Sequence, residues 1–158
     1  MNLAREADKN RNIREAINLY EELVASGEAD LTDILNLVVI YFNCMDLGYA
    51  SAHSVGTDIE TVASSRALDL ITCAEKQYGS NDELLYWKSM IPFHGWSEPV
   101  PKWKLQGDSD VPFLYLAREN PNVINVQHVR ALAEGMSDID ESERKRYLVG
   151  KIELVLNS

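Results

Sequence analysis

Residues 12–42 carry the clearest hydrophobic periodicity in the chain, in the segment NIREAINLYEELVASGEADLTDILNLVVIYF. In its first half, apolar residues recur every three or four positions and so lie on one side of a helix. They are Ile13, Ala16, Ile17, Tyr20, Leu23 and Val24. Gly27 is predicted to end this helix, since glycine adopts the left-handed conformation of a helix end without steric cost. A second helix is predicted from about Thr32, and its apolar residues nearly encircle it, so we expect it to be buried on more than one side.

Residues 65–91 repeat the hydrophobic pattern of residues 14–40 if one residue is dropped in the turn. The matched residues are Ala67, Leu68, Ile71 and Ala74 with Ala16, Ile17, Tyr20 and Leu23, and Leu84, Leu85 and Trp87 with Ile34, Leu35 and Leu37. The sequence therefore predicts a duplicated helical hairpin.

This hairpin resembles the tetratricopeptide repeat over residues 14–43 and, more loosely, over 65–91. The first segment is similar to the second helix of one repeat followed by the first helix of the next. The resemblance implies an all-α fold of stacked antiparallel helical hairpins, and it implies no particular ligand. The two copies lie further apart than the ~34 residues of one repeat, so residues 44–62 would be an insertion.

The remaining elements are assigned from local signals, within one helical domain expected to span residues 1–158. Residues 1–11 are predicted to be a short helical lead-in, and 44–57 a loop or a frayed helix end. A further helix is expected to start with Thr57 or Asp58 as its cap and to run to about Tyr78. A last helix is predicted to start with a D-x-x-E cap formed by Asp140 and Glu143. Its predicted buried residues are Leu148, Ile152, Val155 and Leu156.

Residues 92–112 hold four of the chain's five prolines and two of its three tryptophans. Proline excludes regular helix here, so we predict an ordered, irregular loop. Trp96 and Trp103 either anchor this loop against the helices or, flanked by Glu98, Asp108 and Asp110, form a surface that binds a partner, since aromatic residues dominate interface hot spots. Lys102 and Lys104 prevent the loop from being purely acidic.

Charge is the strongest global property of the chain, which has 15 basic and 25 acidic residues and a formal net charge of −10. Such a surface repels phosphate backbones, so nucleic-acid binding is not expected, whereas it attracts a basic protein. Asp138, Asp140 and Glu141 form a second candidate partner-binding cluster. No apolar run reaches the ~18 residues that would suggest a membrane span, and residues 1–11 do not resemble a signal peptide. We therefore expect no membrane association and a cytoplasmic location.

Motifs that carry chemistry are absent from the sequence. It contains no G-x-G-x-x-G, phosphate loop, C-x-x-C or H-E-x-x-H. The three histidines are isolated from other ligands, and Cys44 and Cys73 are predicted to be buried free thiols. We therefore expect no enzyme activity, no cofactor and no metal site.

Three hypotheses for the function remain. The first is an immunity protein or antitoxin that neutralises a basic toxin, such as a nuclease, by direct binding. The second is a tetratricopeptide-like adaptor or secretion chaperone that binds an extended peptide in a groove. The third is a structural subunit that oligomerises through its apolar helices.

Overall fold

The computed structural model describes residues 2–79, 83–84, 87–88, 91 and 139–156. Within these residues the regular structure is helical and there is no strand, which confirms the all-α prediction. Numbered within this part of the chain, the helices are α1 (Leu3–Lys9), α2 (Ile13–Ser26), α3 (Leu31–Cys44), α4 (Leu47–Ala52), α5 (Thr57–Tyr78) and α6 (Glu143–Leu156).

Helices α1 and α2 form the first packed pair. The Asn2 side chain caps α1 by accepting a hydrogen bond from the Arg5 backbone N–H. In α2 the predicted stripe is confirmed, because Ile13, Ala16, Ile17 and Tyr20 are buried and Leu23 and Val24 are partly buried. Gly27 ends α2 in the left-handed conformation, with φ of 76°. The sequence therefore predicted this helix and its end correctly.

Helix α3 is the centre of the described fold. Every residue from Asp33 to Phe42 is buried, as its nearly continuous apolar surface predicted. It begins at Leu31, where Asp30 and Asp33 form a capping box: the Asp33 N–H donates to Asp30 (2.9 Å) and the Asp30 N–H donates to Asp33 (3.0 Å). It packs against α2, α4, α5 and α6.

Two local predictions after α3 are wrong. Residues 47–52 form helix α4, because the Asp46 side chain accepts from the Tyr49 N–H (2.9 Å) and caps this turn. Neither Thr57 nor Asp58 caps α5. Its N-cap is Gly56, and the Asp58 carboxylate is instead paired with Arg14 on α2 (2.8 Å). The helix ends at Tyr78 as predicted, with Gly79 as its C-cap.

The start of α6 also differs from the prediction. Asp140 and Glu143 do not form the cap. Ser142 takes that place, and its Oγ accepts a hydrogen bond from the Lys145 N–H (3.1 Å). Asp140 lies two residues before the cap and is exposed, and Leu148 is buried as expected. The side chains of the other three residues predicted to be buried in this helix lie outside the described residues.

The cysteine prediction is correct for one residue and wrong for the other. Cys44 is buried, whereas Cys73 is exposed, because it lies two positions after buried Ile71 and therefore on the solvent side of α5. Burial raises the pKa of the Cys44 thiol to about 12, and the thiolate is the reactive form.

We therefore expect a thiol reagent such as Ellman's reagent to modify one thiol per native chain and two in denaturant. Cys73→Ser should abolish the fast reaction, and Cys44→Ser should leave it unchanged. Two equally fast thiols in the native protein would contradict this assignment.

Candidate functional site

The end of α1, the first half of α3 and residues 139–142 come together around the start of α6. The Glu143 backbone N–H donates to Asp8 Oδ1 (2.8 Å), and Arg146 Nη2 donates to the Lys9 carbonyl (3.0 Å). The Glu143 carboxylate, itself buried, accepts from Arg11 and from Arg146 (3.0 Å each). These bonds fix the first turn of α6 against the end of α1.

A chain of buried polar side chains runs beneath this junction. The Tyr20 hydroxyl donates to Asp8 Oδ2 (2.9 Å) and accepts from Asn36 Nδ2 (3.0 Å). Burial raises the pKa of Asp8 to about 6, although the hydrogen bonds from Glu143 and Tyr20 act in the opposite direction. Burial and the neighbouring Asp8 raise the pKa of Tyr20. The chain ends at Asn36 Oδ1, which is buried and has no hydrogen-bond partner in the part of the chain that the structure describes.

Asn36 lines a cavity of about 280 Å³, which we call the Asn36 cleft. Its lining residues are Arg5, Thr32, Asn36, Ile139, Asp140, Glu141, Ser142 and Arg144. A larger depression of about 540 Å³ adjoins it and shares Arg5, Ile139, Asp140 and Glu141. Together they form a continuous concave surface between α1, α3 and the residues that precede α6.

The two arginines of the Asn36 cleft are already engaged. Arg5 donates to Asp33 through Nε (2.8 Å) and to Asp30 through Nη2 (2.8 Å). Arg144, whose side chain is 9% exposed, makes two 2.7 Å bonds to the carboxylate of Glu83. Bidentate hydrogen bonds between charged groups are stronger than hydrogen bonds between neutral groups. The positive charges of the cleft are therefore matched by carboxylates of the same chain.

The acidic residues of the cleft are more available. Asp140 is exposed and makes no ion pair or side-chain hydrogen bond within the described part of the chain. Glu141 is half-exposed and lies 3.1 Å from Lys145, one turn into α6. Exposed pairs of this kind contribute little, about 0–1 kcal/mol. The acidic groups of the cleft that a ligand can reach are thus the carboxylates of Asp140 and Glu141.

No family model, curated protein or solved structure matches this chain.

Two of the eight partner-binding residues predicted from the sequence, Asp140 and Glu141, lie together at the Asn36 cleft. The other six fall outside the described residues: Trp96, Glu98, Trp103, Asp108, Asp110 and Asp138. The sequence prediction missed Asn36, Arg5 and Arg144. For Asn36 a signal was available, because it is a polar residue inside the apolar run of α3, where an amide needs a specific partner.

Other candidate chemistry in the described residues is sparse. The His53 ring packs against Tyr49, with ring centroids 4.5 Å apart, and His53 Nε2 lies 3.4 Å from Arg11 Nη2. Within residues 2–79, 83–84, 87–88, 91 and 139–156, no three His, Cys, Asp or Glu residues are grouped so that they could hold a metal ion. In the same residues no helix is both long and apolar enough to cross a membrane.

Proposed function

We propose that this protein is a non-catalytic binding protein of the cytoplasm, an immunity protein or antitoxin that neutralises a basic toxin by direct contact. The observation that carries the proposal is the Asn36 cleft, where both arginines are paired with carboxylates of the same chain and the exposed Asp140 carboxylate has no partner among the described residues. A surface of this kind is complementary to a basic partner. The net charge of −10 adds long-range attraction, which speeds association with a cationic protein at low ionic strength.

A tetratricopeptide-like adaptor is the second candidate. It is favoured by the packing of the described helices, in which α1 contacts α2, α2 contacts α3, and α3 makes its largest interface with α5. This is the neighbour order that stacked helical hairpins would give. On this hypothesis the partner would be an extended peptide, and several unrelated clients would bind.

The test is capture of partners from the source lysate, followed by affinity and inhibition measurements on the purified partner. We expect one basic protein, bound one to one, whose activity is lost in the complex. The double variant Asp140→Asn/Glu141→Gln should weaken binding by about tenfold at low salt, because two exposed charge interactions are removed. The weakening should shrink as salt rises.

A matched control removes two acidic charges elsewhere. Glu15 on α2 and Asp69 on α5 are both exposed, so Glu15→Gln/Asp69→Asn changes the net charge equally and leaves the cleft intact. Equal loss of affinity in both double variants would show that net charge alone acts, and would contradict a site at the cleft. Retention of many unrelated unfolded clients would instead support the adaptor.

A further inference from the structure

We propose that a groove between α1 and the second half of α2, which we call the Leu3 groove, binds a basic amphipathic helix of a partner protein. The apolar face of that helix packs on three leucines of the groove, and its lysine or arginine side chains pair with Glu22 and Glu28. The inference goes beyond the proposed function. None of the residues that line this groove lines the Asn36 cleft, and the partner need not be a toxin.

Leucines lie on both sides of the Leu3 groove, which has a volume of about 360 Å³. Leu3 lies on α1, while Leu19 and Leu23 are four residues apart on α2 and therefore lie on one side of that helix. Leu19 and Leu23 are partly buried against the core, whereas Leu3 is 61% exposed. One exposed leucine is ordinary on a protein surface. Three leucines around a groove within the ~300–1,000 Å³ of typical binding sites form an apolar surface that a partner can cover.

The arrangement of the two helices favours a helix as the occupant. Only residues 10–12 separate α1 from α2, and helices joined by so short a connection pack antiparallel. A third helix fits along the groove of such a pair, with apolar residues of its own at helical spacing. An extended peptide would need an exposed strand edge, and the described residues contain no strand.

Charge complementarity selects a basic occupant. Glu22 and Glu28 line the groove and are exposed, and within the described part of the chain neither makes an ion pair or a side-chain hydrogen bond. The residues that line the groove include no lysine or arginine. By contrast, Asp33 and Glu143 are each paired with an arginine of the same chain. A cationic partner therefore meets Glu22 and Glu28 without competition from an internal cation.

Two other occupants of an apolar groove fit these charges poorly. In a twofold contact between copies of this chain, the same residues of both copies meet, so the glutamates of one copy would face those of the other. An anionic membrane surface attracts basic segments and is repelled by the same carboxylates. A basic amphipathic helix covers the leucines and neutralises the glutamates at the same time.

The experiment uses the full chain and three hydrocarbon-stapled helical peptides of about fourteen residues, or four turns. The first has leucines on one face and lysines along both edges of that face. The second has glutamates in place of the lysines, and the third has serines in place of the leucines. Binding is followed by NMR shifts of the methyl groups of Leu3, Leu19 and Leu23. We expect the first peptide to shift all three residues, and the other two to bind at least tenfold more weakly.

One pair of variants tests the apolar contact. Leu3→Ala removes an exposed side chain of the groove and should weaken the first peptide about fivefold or more, as for a residue at the centre of an interface. Leu47→Ala, on α4 at a side chain that is 72% exposed, is the control and should leave the affinity unchanged. Both positions are exposed, so neither change should unfold the chain.

A second pair tests the charges. Glu22→Gln/Glu28→Gln should weaken the first peptide about tenfold at low salt, because two exposed charge interactions are removed, and the loss should shrink as salt rises. Asp140→Asn/Glu141→Gln changes the net charge equally at the Asn36 cleft and should have little effect on this peptide. Equal losses in the two double variants would show that net charge alone attracts the peptide, and would overturn the proposal.

The proposal is also overturned if the leucine methyl groups do not shift, if the acidic or the serine peptide binds as well as the first, or if Leu3→Ala has no effect. Dimerisation of the free chain that Leu3→Ala abolishes, measured by analytical ultracentrifugation, would assign the groove to a second copy and refute a basic partner there. Peptide binding in the groove without any captured toxin would support the groove and refute the immunity role. A captured toxin whose affinity is weakened by Asp140→Asn/Glu141→Gln and not by Leu3→Ala would support the immunity role and refute the groove as its contact.

Discussion

Replacing Trp87 by alanine is expected to lower the free energy of unfolding by about 3–5 kcal/mol, the range for deleting a large buried aromatic side chain. The Trp87 side chain is fully buried. The Trp87 ring centroid lies 5.0 Å from that of Phe42 on α3 and 4.9 Å from that of Tyr147 on α6. The rings of Phe42 and Tyr147 also contact each other edge to face, with centroids 5.6 Å apart. Alanine would leave a cavity at the point where three segments meet. Urea unfolding followed by far-ultraviolet circular dichroism measures the loss.

Two control variants test whether the loss of stability is specific to the buried aromatic ring of Trp87. Trp87→Phe keeps an aromatic ring in the cluster and should cost clearly less than alanine. Leu47→Ala, at a side chain that is 72% exposed, should change stability by no more than about 0.5 kcal/mol. If Trp87→Ala were as mild as Leu47→Ala, the cluster would not join α6 to α3.

The aromatic cluster bears on the Asn36 cleft because α6 supplies part of its lining. Tyr147 and Leu148 pack into the core, whereas Ser142 and Arg144, one turn earlier, face the cleft. Core packing and site geometry therefore depend on the same helix. A variant that weakens this packing should also weaken partner binding, so Trp87 variants cannot serve as tests of the site.

Local periodicity was sufficient to predict the helices of the first hairpin. The burial of Ile13, Ala16 and Ile17 follows from spacing alone, and Gly27 and Gly79 end their helices for a local conformational reason. These features depend on residues within one or two turns of each other. For this reason they can be read from the sequence without knowledge of the tertiary structure.

The cleft depends on contacts that local patterns do not encode. Asp8 accepts a hydrogen bond from the Glu143 N–H, which is 135 residues away in the sequence. Arg144 pairs with Glu83, which is 61 residues away. Periodicity indicates which side of a helix is buried, but not what it is buried against. The N-cap of α6 cannot be predicted from local sequence either, because serine and aspartate are both favourable N-cap residues. Which of Ser142 and Asp140 caps the helix depends on how α6 packs against α1.

Replacing Asp8 by alanine is expected to lower the free energy of unfolding by about 2–6 kcal/mol at pH 5. The Asp8 carboxyl group is fully buried, and its oxygens accept from two donors, the Glu143 N–H and the Tyr20 hydroxyl. Alanine leaves both donors buried without an acceptor, at a cost of about 1–3 kcal/mol each. Glu15→Ala, at an exposed acid on α2, is the control and should have little effect. A loss no larger than that of the control would show that Asp8 does not stabilise the start of α6.

The pH dependence of the Asp8 contribution provides a sharper test, with Asp8→Asn as a variant that cannot titrate. The pKa of Asp8 is raised to about 6 in the folded chain by burial, against about 3.9 in an unfolded one. Between these values the folded state binds more protons than the unfolded state, so stability must fall as pH rises. The stabilisation of the folded state by the protonated Asp8 carboxyl group is present below the unfolded pKa of about 3.9 and is lost as the pH rises through the folded pKa of about 6. The free energy of unfolding of the wild type, minus that of Asp8→Asn, should therefore decrease by about 2 kcal/mol from pH 4 to pH 7. A difference that stays constant or increases over this range would mean that Asp8 is ionised in the folded chain throughout, with its charge compensated by Arg146 and the start of α6.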